Sequence, residues 1–223
     1  MKPLIGKYQM IARVDDFGSA SVDLFPQHTA PGPVLAAIRS ARESLAQQFG
    51  ARVSINAMVR KCGKLRNQSR DTLQTLLASL ARTAASVGID GFQVYSRFKN
   101  QEWIDAGRAF SKDAEPFMEE LVLHGLSPDF LENVKAAVDG FELAMKEHHN
   151  ALVVRQDAIS RLRTTVADAM KQVGRLESLV LNTLSGNSTV MIAWEAARRV
   201  VQATASKSPA PTPASDNAAA TPA

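Results

Sequence analysis

A single cysteine, Cys62, stands among the 223 residues, so no intramolecular disulfide can form. Aromatic residues make up only 6% of the chain, too few for a core built around stacked rings. Leu, Val, Ile and Ala must supply it instead. No stretch reaches eighteen consecutive apolar residues, which argues against a membrane-spanning helix. Lys7 and Arg13 interrupt the N-terminal apolar positions, and no small-residue cleavage site follows, so a secretory signal is not expected. A cytoplasmic protein is the expectation.

Several chemistries are missing as well. There is no glycine-rich phosphate loop, no dinucleotide fingerprint and no zinc-cysteine spacing. Di-iron bundles need Glu-x-x-His on two helices, and none of His28, His124, His148 and His149 has an acid three residues before it. Glu120 and His124 share a helix face, a commonplace pair. Cys62 lies among cations that could activate it, although a small residue at a helix end is the simpler reading. No catalytic residue, metal site or cofactor is therefore expected, and the chain reads as a non-enzyme.

What is present is helical periodicity. Alternating steps of three and four give Leu131, Val134, Val138, Phe141, Met145, His148, Leu152, Arg155, Ile159, Leu162, Val166, Ala169, Val173, Leu176 and Val180. Thirteen of these fifteen are apolar, and such spacing lines one face of a helix, where a strand would alternate by two. Poor helix formers cluster at His148-His149-Asn150, so a kink there, turning His148 and Arg155 to solvent, is the simplest expectation. The alternative is that these two polar residues sit in the seam and fix register or partner choice. A ligand site is the third reading.

Other segments follow the same rule. A first helix covers about 4–24, with Ile11, Val14, Val22 and Phe25 inward, and ends before Pro26. A second starts with Pro33 in its first turn and runs through Ile38, Leu45, Phe49, Val53 and Val59 to about Lys61. Gly63 is expected to break it from a third, about 68–87, which carries Leu73, Leu77, Leu80, Ala84 and Val87. An irregular connection leads to Asn100, expected to cap a helix with Trp103, Gly107, Phe110, Ala114, Phe117 and Leu121 on one face, kinked or restarted at Pro116. His124-Gly125-Leu126 reads as a glycine C-cap. Ser127-Pro128-Asp129 opens the striped helix, which should end near Ser185. A last helix holds Val190, Met191, Trp194, Ala197 and Val201. The fold class expected is all-α: an elongated antiparallel bundle of about six helices over 1–203, with a disordered Ala/Pro-rich tail over 204–223.

Net charge is +4, too little by itself to mark a nucleic-acid binder. Its distribution is uneven. No acid occurs between Glu43 and Asp71, while Arg52, Arg60, Lys61, Lys64, Arg66 and Arg70 do. With Arg39 and Arg42 included, this region holds a strong excess of cations. At a helix junction, Arg60, Lys61, Lys64, Arg66 and Arg70 could grip phosphates, Gly63 admitting close backbone approach. Phe92, Tyr95 and Phe98, interleaved with Arg97 and Lys99, are a second candidate, since aromatics beside cations can stack on bases. A solvated helix and a loop plugging the bundle end are the plainer readings.

Asp16-Phe17-Gly18 with Asp23-Leu24-Phe25-Pro26, Arg108-Ala109-Phe110 with Asp113-Ala114-Glu115-Pro116, His124-Gly125 before Phe130-Leu131, and Trp194-Glu195 with Arg198-Arg199-Val200 together resemble an uncharacterised bacterial family of all-helical proteins. The resemblance implies a helical fold and carries over no functional residue. The expected function is a helical scaffold acting through helix–helix contacts, with protein partners and a homo-oligomer the simplest assembly. An accessory protein binding nucleic acid or another polyanion through 52–70 is the first alternative. A phasin-like coat on lipid or polymer inclusions is the second.

Overall fold

The computed structural model describes residues 2–95 and 97–200, so the expected tail at 204–223 lies outside the described residues. All regular structure among them is helical. The elements are α1 (Lys2–Ser21), α2 (Pro31–Ser86), α3 (Asn100–Ala114), α4 (Met118–Leu123), α5 (Phe130–Leu184) and α6 (Ser188–Arg198). Single 3-10 turns follow α1, at Val22–Leu24, and α3, at Glu115–Phe117.

Two expected interruptions are absent. Gly63 does not break a helix, because α2 continues through it to Ser86. One glycine costs a helix interior only about 1 kcal/mol, which the apolar faces on either side outweigh. Likewise α5 runs through His148-His149-Asn150 without interruption. All fifteen stripe residues from Leu131 to Val180 are buried or half-buried, His148 and Arg155 half-buried among them. Helix α2 also begins at Pro31, two residues before the expected start.

The punctuation elsewhere follows local chemistry. Pro116 ends α3 at Ala114, and the chain restarts as α4 after one 3-10 turn. Gly125 has φ of +102°, a region that glycine enters freely. Leu126 N–H donates to Leu121 O at 3.1 Å and Gly125 N–H to Val122 O at 3.0 Å, the paired bonds of a Schellman cap. Asn100 is the first residue of α3, not its cap. Glu102 accepts from the Lys99 backbone N–H at 2.5 Å and satisfies that helix start. Asn187 caps α6 by accepting from Val190 N–H at 3.3 Å.

The chain divides into two compact units. Among the described residues unit 1 comprises 2–42 and 169–200, and holds α1, α6, the start of α2 and the end of α5. Met10, Ile11, Val14 and Phe17 of α1 are buried there. Phe17 packs tilted on Trp194 with ring centroids 5.3 Å apart. Gly18 leaves room for the Leu35 side chain, which a Cβ there would meet. Val22 is exposed, contrary to expectation, since the 3-10 turn after Ser21 rotates it off the α1 face.

Unit 2 comprises 43–168. Its core joins Leu73, Leu77 and Leu80 of α2 to Trp103, Ile104 and Phe110 of α3 and Val134, Val138 and Phe141 of α5. Gly107 lets α3 pack closely: a Cβ there would lie 2.5 Å from Val138 Cγ2 and 3.3 Å from Leu73 Cδ1. Phe117 and Val53 are exposed, not inward as the periodicity suggested, Val53 at 71%.

Candidate functional site

The stretch of unit 2 where α2 meets the middle of α5 brings together most residues of interest. Gln48 Nε2 donates to Thr165 Oγ1 at 3.0 Å. Arg66 Nη1 donates to His148 Nδ1 at 3.3 Å. These contacts bracket α2 residues 48–66 beside α5 residues 148–165. Within the bracket, Val59, Ala151 and Leu162 are buried, whereas Ile55, Leu152 and Ile159 are only half-buried. A two-helix contact leaves both of its flanks open in this way, because a helix pair can cover only one stripe on each member.

His148 is seated over Gly63, whose missing side chain leaves the ring space. A Cβ at Gly63 would lie 3.4 Å from His148 Nε2. A guanidinium carries no acceptor, so Nδ1 of His148 is the acceptor and the proton of the neutral ring sits on Nε2. Loss of hydration lowers the His148 pKa below the usual imidazole value, and the neighbouring Arg66, Arg155 and His149 lower it further. His148 is thus half-buried with Arg66 as its partner, and Arg155 is half-buried seven residues on.

The basic residues do not form one patch. At about 100° per residue, Arg60, Lys61 and Lys64 point away from the α5 contact and are exposed. Arg66 turns toward His148 and also donates to Asn67 Oδ1 at 2.8 Å. Arg70 pairs with Asp71 at 3.0 Å. Because α2 is continuous, Gly63 presents no free backbone N–H groups, and the junction expected to cradle phosphate does not exist. Cys62 is half-buried in mid-helix, not at a helix end.

Arg39 and Arg42, counted with the basic region in the sequence, are neutralised within unit 1. Arg42 Nη1 lies 2.9 Å from Asp15 Oδ2 and 2.7 Å from Asp16 Oδ1. Arg39 Nε is 3.5 Å from Asp15 Oδ1. The hydrogen bond to Asp15, then that to Asp16, raises the Arg42 pKa. Asp15 is the buried member, its side chain 6% exposed. The Asp15-Asp16 pair was visible in the sequence but nothing there linked it to arginines 24 to 27 residues on. Its position on the polar edge of the α1 stripe was the only signal.

Two grooves flank α5 along this stretch. One, of about 360 Å³, is lined by Gln48, Ala51, Ile55, Val154, Asp157, Ala158 and Arg161. The other, of about 550 Å³, is lined by Leu152, Arg155, Gln156, Ile159, Ser160 and Arg163. The aromatic loop is committed to packing instead: Phe92 meets Phe110 edge-on at 5.3 Å and Phe98 meets Trp103 at 5.2 Å. Only Tyr95 is largely exposed among these rings. Among the described residues no three His, Cys, Asp or Glu side chains gather as metal ligands, and no helix is long and apolar enough to cross a membrane. Comparison with family models, with curated proteins and with solved structures finds no match to this chain.

Proposed function

We propose that this chain is a non-enzymatic cytoplasmic scaffold that self-assembles through helix–helix contacts, built on an antiparallel pairing of its long helices. The observation that carries the reading is the groove of Ala51, Ile55, Val154 and Ala158. On α2 the same side continues as Met58, Cys62 and Leu65, spaced by threes and fours, with Met58 and Leu65 exposed. That is a second apolar stripe on a helix whose first stripe already faces α5. Such a stripe is the docking surface of a coiled-coil partner. Pairing of Gln48 with Thr165 and Arg66 with His148 supports the antiparallel arrangement.

A second copy fits the groove because it carries both signs of charge. Asp157 and Arg161 pair at 2.9 Å on its rim, and a two-fold partner would offer the same pair in reverse. In this reading His148, seated over Gly63, fixes the register of the α2–α5 pair, and so keeps the outer stripe in line. Multi-angle light scattering at several concentrations tests the proposal. The parent chain is expected to give a concentration-dependent dimer mass, and Ile55→Glu with Val154→Glu to give a monomer of unchanged helicity. A parent that stays monomeric at every concentration refutes it.

A further inference from the structure

We infer that the groove on the other side of α5 binds a linear phosphate polymer through its backbone charges. Binding there is independent of self-assembly, since the two grooves are about half a turn apart on α5 at 100° per residue. The residues are Arg155 and Arg163 on the groove walls, with Leu152, Ile159, Gln156 and Ser160 between them. Arg155 and Arg163 are eight residues apart, or about 12 Å at 1.5 Å per residue. Among the described residues neither has an acidic partner, and the one acid between Glu147 and Asp168, Asp157, is taken by Arg161 on the opposite side.

Helix α2 adds to the same flank. Arg60 and Lys64 are exposed and fall about half a turn around α2 from Ala51 and Ile55, which line the opposite groove. No acid lies on α2 between Glu43 and Asp71 to offset them. Arg52, between these faces, holds its Nε buried without a hydrogen-bond partner. Among the described residues this side thus presents four cations with no carboxylate partner, two on each helix, and the α5 pair borders a floor that Leu152 and Ile159 share with Gln156 and Ser160. Repulsion among them is uncompensated within the chain, which is the condition a polyanion relieves by releasing its own counterions.

The chemistry narrows the ligand. No Phe, Tyr or Trp occurs between Phe49 and Phe92 or between Phe141 and Trp194, so this flank offers no platform for stacking bases. Recognition would therefore be of phosphates and indifferent to sequence. Nucleic acid and inorganic polyphosphate share that chemistry.

The test is fluorescence anisotropy of the full chain with labelled single-stranded oligonucleotides, oligo-dT and oligo-dA, across salt concentrations. Four phosphate contacts predict a log–log salt slope near −2.8, or about a fiftyfold loss of affinity between 50 and 200 mM salt. Arg155→Gln with Arg163→Gln should bring the slope to about −1.4 and the loss to about sevenfold. Arg175→Gln, which removes an exposed cation elsewhere on α5, should leave the slope unchanged. Circular dichroism of each variant reports that the helices are retained. Oligo-dT and oligo-dA binding alike supports backbone recognition, and competition by inorganic polyphosphate separates the two sources of phosphate. Absence of binding at low salt, or an unchanged slope in a helical double variant, overturns the inference.

Discussion

Replacing Gly107 with alanine tests the close packing of α3 in unit 2, and Gly140 supplies the control. Alanine is favoured over glycine in a helix interior by about 1 kcal/mol. At Gly140, exposed on α5 with nothing within 4 Å of a new Cβ, that gain should appear as a stabilisation of about 0.5–1 kcal/mol. At Gly107 the new Cβ would lie 2.5 Å from Val138 Cγ2, about 1 Å inside the usual carbon–carbon separation of 3.5–4.0 Å. Val138 cannot yield easily. It is β-branched, hence stiff about χ1, and it lies in the core with Leu73 on the other side of the contact. Overpacking of this kind costs about 1–3 kcal/mol, so after the propensity gain Gly107→Ala should be destabilised by about 1 kcal/mol. The two variants should then differ by about 2 kcal/mol, or roughly 4–8 °C in Tm for a chain of this size. Urea titrations followed by far-UV circular dichroism give the comparison. Adding Val138→Ala to Gly107→Ala should recover part of the loss through a favourable coupling. A Gly107→Ala protein as stable as Gly140→Ala would refute the close packing of α3 against α2 and α5.

The His148 seam position predicts a pH dependence. Its folded pKa lies below the unfolded value of about 6.5, first through loss of hydration and then through Arg66, Arg155 and His149. The unfolded chain therefore binds more protons in the window between the two values. Stability is present above the unfolded pKa and is lost as pH falls through the folded one. His148→Gln, which keeps an acceptor for Arg66 but cannot titrate, should flatten that part of the urea-midpoint profile between pH 7.5 and pH 5. A profile identical to the parent's would remove His148 as its source. In unit 1, Asp15→Ala should destabilise by about 1–2 kcal/mol, a value held down because Arg39 and Arg42 are partly exposed to screening solvent. Asp16→Ala, whose carboxylate is 66% exposed, should cost less than half as much in the same titration.

What the residues reveal of the structure divides along a physical line. The stripes of α5 and of α2 between Leu73 and Ala84 were legible because burial on one face imposes spacings of three and four, and those residues are buried or half-buried. The Gly125 cap and the Pro116 restart were legible because backbone sterics act within a few residues. The expected interruptions at Gly63 and at His148-His149-Asn150 failed for a common reason. Local propensity there is outweighed by helix packing on either side, and the packing partner of Gly63 is His148, 85 residues away.

The candidate sites show the same division. That cations crowd 52–70 and that His148 and Arg155 fall on the seam follow from the order of residues alone. Which cations remain unpaired does not. Arg39 and Arg42 are neutralised by Asp15 and Asp16, Arg66 is drawn to His148, and Arg155 and Arg163 gain weight because they share a groove. Charge pairing depends on separations of a few ångströms between helices, and those are set by side-chain packing across the fold. The amino-acid order thus determined that the chain forms helices and where their apolar faces lie. Only the tertiary structure decided which charges cancel and which apolar faces stay uncovered, because both depend on what the opposing helix places there.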